Sequence, residues 1–151
     1  MWLSRSWTTR PRRVGEPADA YVYVDREAFD ARIAAGGFLE WADVFDHRYG
    51  TPWPEPPVGH DVLLEIDVQG ATQVKARHPE AVMVFIEAPS REAQEARLRG
   101  RGDREELIAR RLAAAPEEER AGRELADHVV VNDDLSRAIE EVAAILESRR
   151  Q

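Results

Sequence analysis

Asp61-Val62-Leu63-Leu64-Glu65-Ile66-Asp67-Val68-Gln69-Gly70 decides how this chain is read. Its apolar run, Val62 to Ile66, predicts a buried strand. Two carboxylates, Glu65 and Asp67, close the strand, and a helix is predicted from Gln69 to His78. In open α/β sheets ligands sit at the carboxyl ends of strands. Glu65 and Asp67 are two positions apart, so they share a face if the strand persists that far. They could accept hydrogen bonds from a base, face a metal-bound phosphate, or pair with a nearby arginine.

Working outward, Ala81 to Ile86 and Val129 to Val131 are further apolar runs without strict alternation. That pattern suits parallel strands covered on both faces. Ser90 is a candidate N-cap for a helix ending near Arg99 and Gly100. Glu105 to Ala126 reads as one or two helices, with Pro116 as the break. Asp134 can cap a last amphipathic helix to Arg149 that buries Ile139, Val142 and Ile145 or Leu146. Alternating strand and helix imply a parallel α/β core. Tyr21 to Thr51 differs: strand-like Tyr21–Val24 and Phe38–Ala42 flank a short helix capped by Asp25 and closed by Gly36-Gly37. This is expected to be a small α+β insert. Pro52, Pro54, Pro56 and Pro57 then exclude regular helix.

The 151 residues fit one domain with a real core. The lobe is expected at roughly 21–57 and an arginine-bearing lid at roughly 97–115, with the core formed by the remainder. No apolar run reaches spanning length, the first residues lack a signal-peptide pattern, and cysteine is absent. No membrane partner and a cytoplasmic location are therefore expected. The net charge of −8 argues against nucleic acid. Arginines nevertheless cluster in two places, Arg5–Arg13 and Arg97–Arg104, which suits small anionic ligands. Ser6-Trp7-Thr8-Thr9-Arg10-Pro11-Arg12-Arg13 is either a phosphate site, since guanidinium binds phosphate bidentately, or an exposed basic turn. Arg97 and Arg101 are four apart beside Gly100 and Gly102, with Arg110-Arg111 following. A bending segment with arginines can neutralise a moving phosphoryl group. Arg99 and Arg104 could equally pair with Glu95, Glu105 and Glu106. No metal-ligand spacing is present among the histidines. The phosphate-loop pattern Gly-x-x-x-x-Gly-Lys-Ser/Thr does not occur, and the single lysine, Lys75, lies within the predicted helix.

Six collinear segments together resemble guanylate kinase: Ser6–Glu16, Phe38–Trp41, Tyr49–Pro52, Leu64–Gly70, Arg97–Gly102 and Val130–Leu135. The resemblance covers nearly the whole chain. It implies a P-loop-NTPase-like parallel sheet lacking its first strand and phosphate loop, with a GMP-binding lobe and a lid. Arg10 and Arg13, helped by the hydroxyls of Tyr21 and Tyr49, would hold the phosphate of GMP. Glu40 would read the guanine ring, with Ser6 and Thr51 as further contacts. Glu65 and Asp67 would lie near the base, the ribose and the metal-phosphate region. Arg97, Arg101 and Arg111 would surround the ATP phosphates and the transferred group, and Asn132 would lie near the adenine. Mg²⁺ would accompany ATP.

The resemblance leaves three function classes open. One is phosphoryl transfer from ATP to GMP, impaired or unconventional without the loop. The second is a non-catalytic module binding GMP, a phosphopeptide or a protein. In the third, an upstream start restores the loop. A homodimer covering the edge left by the first strand is a further expectation.

Overall fold

The computed structural model describes residues 1–148. The chain divides into two compact units, Met1–Ala81 and Val82 onward. The first contains β1 (Trp2–Leu3), β2 (Trp7–Thr8), β3 (Val22–Tyr23), α1 (Arg26–Ala34), β4 (Phe38–Val44), β5 (His47–Pro52), β6 (Val62–Leu63) and α2 (Val68–Arg77). Strand β1 pairs in parallel with β6, Trp2 opposite Val62. The other four strands form one mixed sheet in the order β3-β2-β5-β4. Its antiparallel β4–β5 hairpin turns at Phe45, which takes φ +55°.

This sheet is the expected α+β lobe, and it also recruits β2 from ahead of residue 21. Asp25 caps α1 by accepting from the Ala28 N–H, and Gly36 ends it at φ +65°. Phe29 of α1 stacks on Phe38 at 4.6 Å between centroids, and Trp7 meets Phe38 edge-on at 5.8 Å. A Cβ at Gly50 would approach Phe29 Cζ to 3.1 Å and Trp41 Cβ to 2.9 Å, so the hairpin needs glycine there.

The strand predicted to reach Ile66 ends at Leu63. Glu65 and Asp67 therefore lie beyond it, and the premise that they share a strand face fails. Asp67 instead caps α2, its Oδ1 accepting from the Gly70 N–H at 2.9 Å. An N-cap needs extended backbone and a short side-chain acceptor, and Asp67 supplies both.

The second unit contains β7 (Val84–Glu87), α3 (Arg91–Gly100), α4 (Glu105–Leu125), β8 (His128–Val131) and α5 (Leu135–Ser148). Strands β7 and β8 pair in parallel, Val84 opposite His128. The parallel core thus occurs as separate two-stranded pairs, one in each unit. Such narrow pairs are not covered on both faces, and Ile86, Val129 and Val62 remain exposed.

Ser90 caps α3 as expected, accepting from Ala93 N–H. The helix runs through Gly100, however, and the left-handed residue that ends it is Gly102, at φ +76°. On α5, Asp134 Oδ1 accepts from Arg137 N–H. Its inward residue is Ala138, and Ile139 is 59% exposed, contrary to the sequence reading. One helical position is about 100° of rotation, enough to turn Ile139 outward. The predicted end at Arg149 lies outside the described residues.

Pro116 does not break α4, which is one 21-residue helix. A proline here removes the bond that the Leu112 carbonyl would accept. Arg91 of α3 replaces that donor, its Nη2 donating to Leu112 O. Farther along, Gly122 lies against the Phe85 ring, where a Cβ would come within 2.4 Å of Cε2. Arg91→Met is expected to destabilise the fold by about 1–2 kcal/mol, because it leaves that carbonyl without its donor. Urea unfolding measures this, and an unchanged midpoint would mean that water satisfies the carbonyl equally well.

Candidate functional site

Arg10 follows β2 and is 8% exposed. Burying a guanidinium requires partners for its fork of donors. Nη2 and Nη1 donate to the two oxygens of Glu16 at 2.7 and 3.1 Å. Nη1 also reaches Pro11 O at 2.8 Å, and Nε donates to Tyr49 Oη at 3.1 Å. The guanidinium lies 5.5 Å from the Tyr21 ring centroid. The bidentate bond from Arg10 holds the Glu16 carboxyl at about 2, against the opposing effect of burial. The same bond raises the Arg10 pKa.

Glu16 also accepts from the Arg13 N–H at 2.9 Å, which folds the arginine-rich turn around one carboxylate. The exposed-turn reading of this segment is therefore overturned for Arg10, whereas Arg12 is exposed. Tyr21 and Tyr49 meet edge-on at 6.0 Å. Tyr49 Oη accepts from Arg10, so its own proton remains available to an anion. Burial raises the Tyr21 pKa and keeps that phenol a donor. Arg10, Tyr21 and Tyr49 thus gather beside Glu16, which the Arg13 backbone N–H also binds.

Glu40 lies on β4, opposite Thr51 of β5, and is 4% exposed. Ser6 Oγ and Thr51 Oγ1 are 3.2 Å apart. Burial pushes the Glu40 carboxyl above the usual carboxylate range. A hydrogen bond from Thr51 and the charge of Arg77 oppose that shift, and the charge of Asp67 adds to it. A Cβ on Gly70 would fall 2.3 Å from Glu40 Oε2. Gly70 is therefore required for the carboxylate to lie against the helix start. Ser6, Glu40 and Thr51 form a small polar cluster at β4 and β5. A buried carboxylate offers two acceptors to a planar ligand with adjacent donors. Glu65 is exposed, and its charge is felt by Tyr21.

In the second unit Arg97, Arg101 and Arg111 line a cavity of about 490 Å³ with Gln94 and Glu118. Arg97 Nη2 donates to the Asn132 carbonyl at 2.6 Å, which joins two predicted site residues. Arg101 and Arg111 flank Asp103 at 3.5 and 3.9 Å, and the Asp103 side chain is 4% exposed. Arg99 bridges Glu95 and Glu105, as its alternative reading expects.

Sequence reasoning missed Glu16 and Asp103, the carboxylates that hold these arginines. Each lies within a few residues of an arginine cluster, and a lone acid embedded in a basic run was the available signal. Glu87 was also missed; it binds Arg123 bidentately at 2.7 and 3.0 Å.

The guanylate kinase family model matches residues 3–149. The chain is 48% identical to the guanylate kinase of Symbiobacterium thermophilum, over 95% of this chain and 71% of that protein. It is 45% identical to that of Carboxydothermus hydrogenoformans, over 99% and 76%. The crystal structure of guanylate kinase from Anaplasma phagocytophilum superposes with a TM-score of 0.78 at 33% identity, covering 98% of this chain and 74% of that one. The fold is a guanylate-kinase-like mixture of α and β structure. The chain belongs to the guanylate kinase family. Among the described residues, no helix is long and apolar enough to cross a membrane.

Proposed function

We propose that this chain binds GMP in its first unit and takes part in phosphoryl transfer from ATP to GMP, giving GDP and ADP. The observation that carries this reading is a buried carboxylate, Glu40, on the sheet whose strand β2 leads into the buried guanidinium of Arg10. Guanine presents N1–H and a 2-amino group side by side, and one carboxylate accepts both. Adenine lacks that pair, and unpaired donors or acceptors in the wrong complex cost about 1–3 kcal/mol each. Arg13, Tyr21, Tyr49 and the outward side of Arg10 take the phosphate, and Ser6 and Thr51 complete the base site. Glu65 and Asp67 supply negative charge toward the ribose side, with Asp67 acting chiefly as the cap of α2.

In the second unit Arg97, Arg101 and Arg111 neutralise the ATP phosphates and the charge that develops on the moving group. Asn132, whose carbonyl accepts from Arg97, serves as the adenine contact in this reading. Mg²⁺ enters with ATP, on its phosphates. Among the described residues no group of three or more His, Asp or Glu side chains could hold a metal ion.

Calorimetry with GMP alone, beside a coupled assay with ATP, Mg²⁺ and GMP, tests both halves. GMP binding is expected to be saturable and stronger than AMP binding. Arg97→Ala or Arg101→Ala is expected to lower kcat by about 10²–10³ with GMP affinity unchanged. Absence of GMP binding would refute the reading. Binding without turnover would retain the acceptor site and refute the transfer.

A further inference from the structure

Strand β4 is the edge of its sheet, so its outward carbonyls need partners. They are taken by side chains of one helix. Gln69 Nε2 donates to Asp43 O at 3.1 Å, and Gln73 Nε2 donates to Trp41 O at 2.7 Å. Arg77 Nη1 donates to Leu39 O. Trp41 N–H in turn donates to Gln73 Oε1 at 3.4 Å, so Gln73 pairs with the strand as a neighbouring backbone would. The spacing is a geometric match. Four helical residues rise about 6.0 Å, and two strand residues span about 6.6–6.8 Å. Positions 69, 73 and 77 therefore meet 43, 41 and 39 in antiparallel order.

The last rung falls on an irregularity. Between Phe38 and Glu40 the register with β5 shifts, since Phe38 faces Pro52 and Glu40 faces Thr51. Leu39 is the extra residue, and Phe38, Leu39 and Glu40 are consecutively buried. A bulge breaks the alternation and re-aims the next side chain. Arg77 binds the carbonyl of the bulged residue, and its charge favours the ionised form of Glu40.

We propose that Gln69, Gln73 and Arg77 form a side-chain ladder that fixes the bulge and register of β4 and so positions Glu40, making α2 a determinant of guanine specificity. Gln73 and Arg77 are positioning residues; Glu40 is the group that touches the base. The inference rests on the GMP reading above. Glu40 is wedged between Thr51 and the start of α2 at Gly70, so a slip at the edge strand moves the carboxylate relative to the base.

The test compares GMP with IMP, which keeps N1–H and lacks the 2-amino group. Calorimetry on Gln73→Met and Arg77→Met is expected to show the GMP-over-IMP ratio reduced about tenfold, one hydrogen bond's worth of discrimination. Arg77→Lys, which keeps a charged donor, is expected to hold the ratio within about threefold. Amide exchange at Trp41 is expected to accelerate in Gln73→Met, a readout independent of nucleotide. Should either methionine variant fail to fold, Gln69→Ala at the exposed end of the ladder carries the same comparison with a smaller drop. Variants that lose thermal stability yet keep the wild-type GMP-over-IMP ratio would overturn the inference and leave α2 as a brace. A wild-type chain that binds GMP and IMP equally would instead overturn the assignment of Glu40 itself, and the inference with it.

Discussion

Arg10→Met is expected to abolish measurable GMP binding and to destabilise the fold by on the order of 3 kcal/mol. Arg10 and Glu16 form a bidentate pair whose side chains are 9% and 16% exposed. Removing one member leaves a buried carboxylate without its counter-charge, which costs far more than the intact pair contributes. Of the five N–H donors of Arg10, four bonds go to Glu16, Pro11 and Tyr49. The pair thus orients the guanidinium before any phosphate arrives, and a phosphate needs only its remaining side, with Arg13 and the tyrosine hydroxyls. Lysine cannot reproduce this fork, so Arg10→Lys is expected to lose most of the same binding.

The pH dependence follows from the sign of the Glu16 shift. Its folded pKa, about 2, lies below the ordinary 4.5. The pair's contribution is therefore present above about 4.5 and is lost as pH falls from there through about 2. The wild-type chain is expected to lose stability across that window, and Arg10→Met is expected to show a flatter profile. Urea unfolding between neutral and acid pH measures both. Equal slopes would show that the pair is not formed in solution.

How much of this was legible follows the length of each signal. Helices α1, α3 and α5 announced themselves through caps, because Asp25, Ser90 and Asp134 mark backbone that must satisfy its first N–H groups locally, whereas the cap of α2, Asp67, reads in sequence as a strand-end acid. Strands β1 and β2 are two residues each, too short for any periodicity, whereas β3 falls inside the strand-like run Tyr21–Val24. Strand β5, His47-Arg48-Tyr49-Gly50-Thr51-Pro52, carries a glycine and a proline that read as turn chemistry. Only the packing of Phe29 and Trp41 over Gly50 explains why it is a strand. Pro116 misled because the compensating donor, Arg91, lies 21 residues from the Leu112 carbonyl and on another helix.

The site shows the same division. Arginines and the Glu40 carboxylate stood out as residue types. The carboxylates that hold those arginines lie within eight residues of them, but the α2 ladder over β4 depends on contacts across 26, 32 and 38 residues. No local pattern encodes such contacts.

Glu40→Gln is the second large effect, and it runs in opposite directions for binding and stability. Glutamine keeps the volume and one acceptor but turns an amide N–H₂ toward the guanine donors. Two charge-assisted hydrogen bonds are replaced by one neutral bond and a donor–donor clash, so GMP affinity is expected to fall by about 10²-fold. For the fold the sign reverses. Burial holds the Glu40 carboxyl above its ordinary range, so the folded chain disfavours the ionised form more than the unfolded chain does. A raised carboxyl contributes stability below its unfolded value and loses that contribution as pH rises through the folded value. Wherever it is ionised, the side chain is therefore a liability to folding. The neutral glutamine removes it, and the thermal midpoint at pH 7 is expected to stay level or rise. At acid pH, where Glu40 is protonated, the two chains are expected to converge. Paired melts at neutral and acid pH, with GMP calorimetry on the same samples, check both directions. A variant that melts lower at neutral pH would show that Glu40 is held by structural bonds rather than poised for a ligand, and undiminished GMP affinity would remove it from the base site.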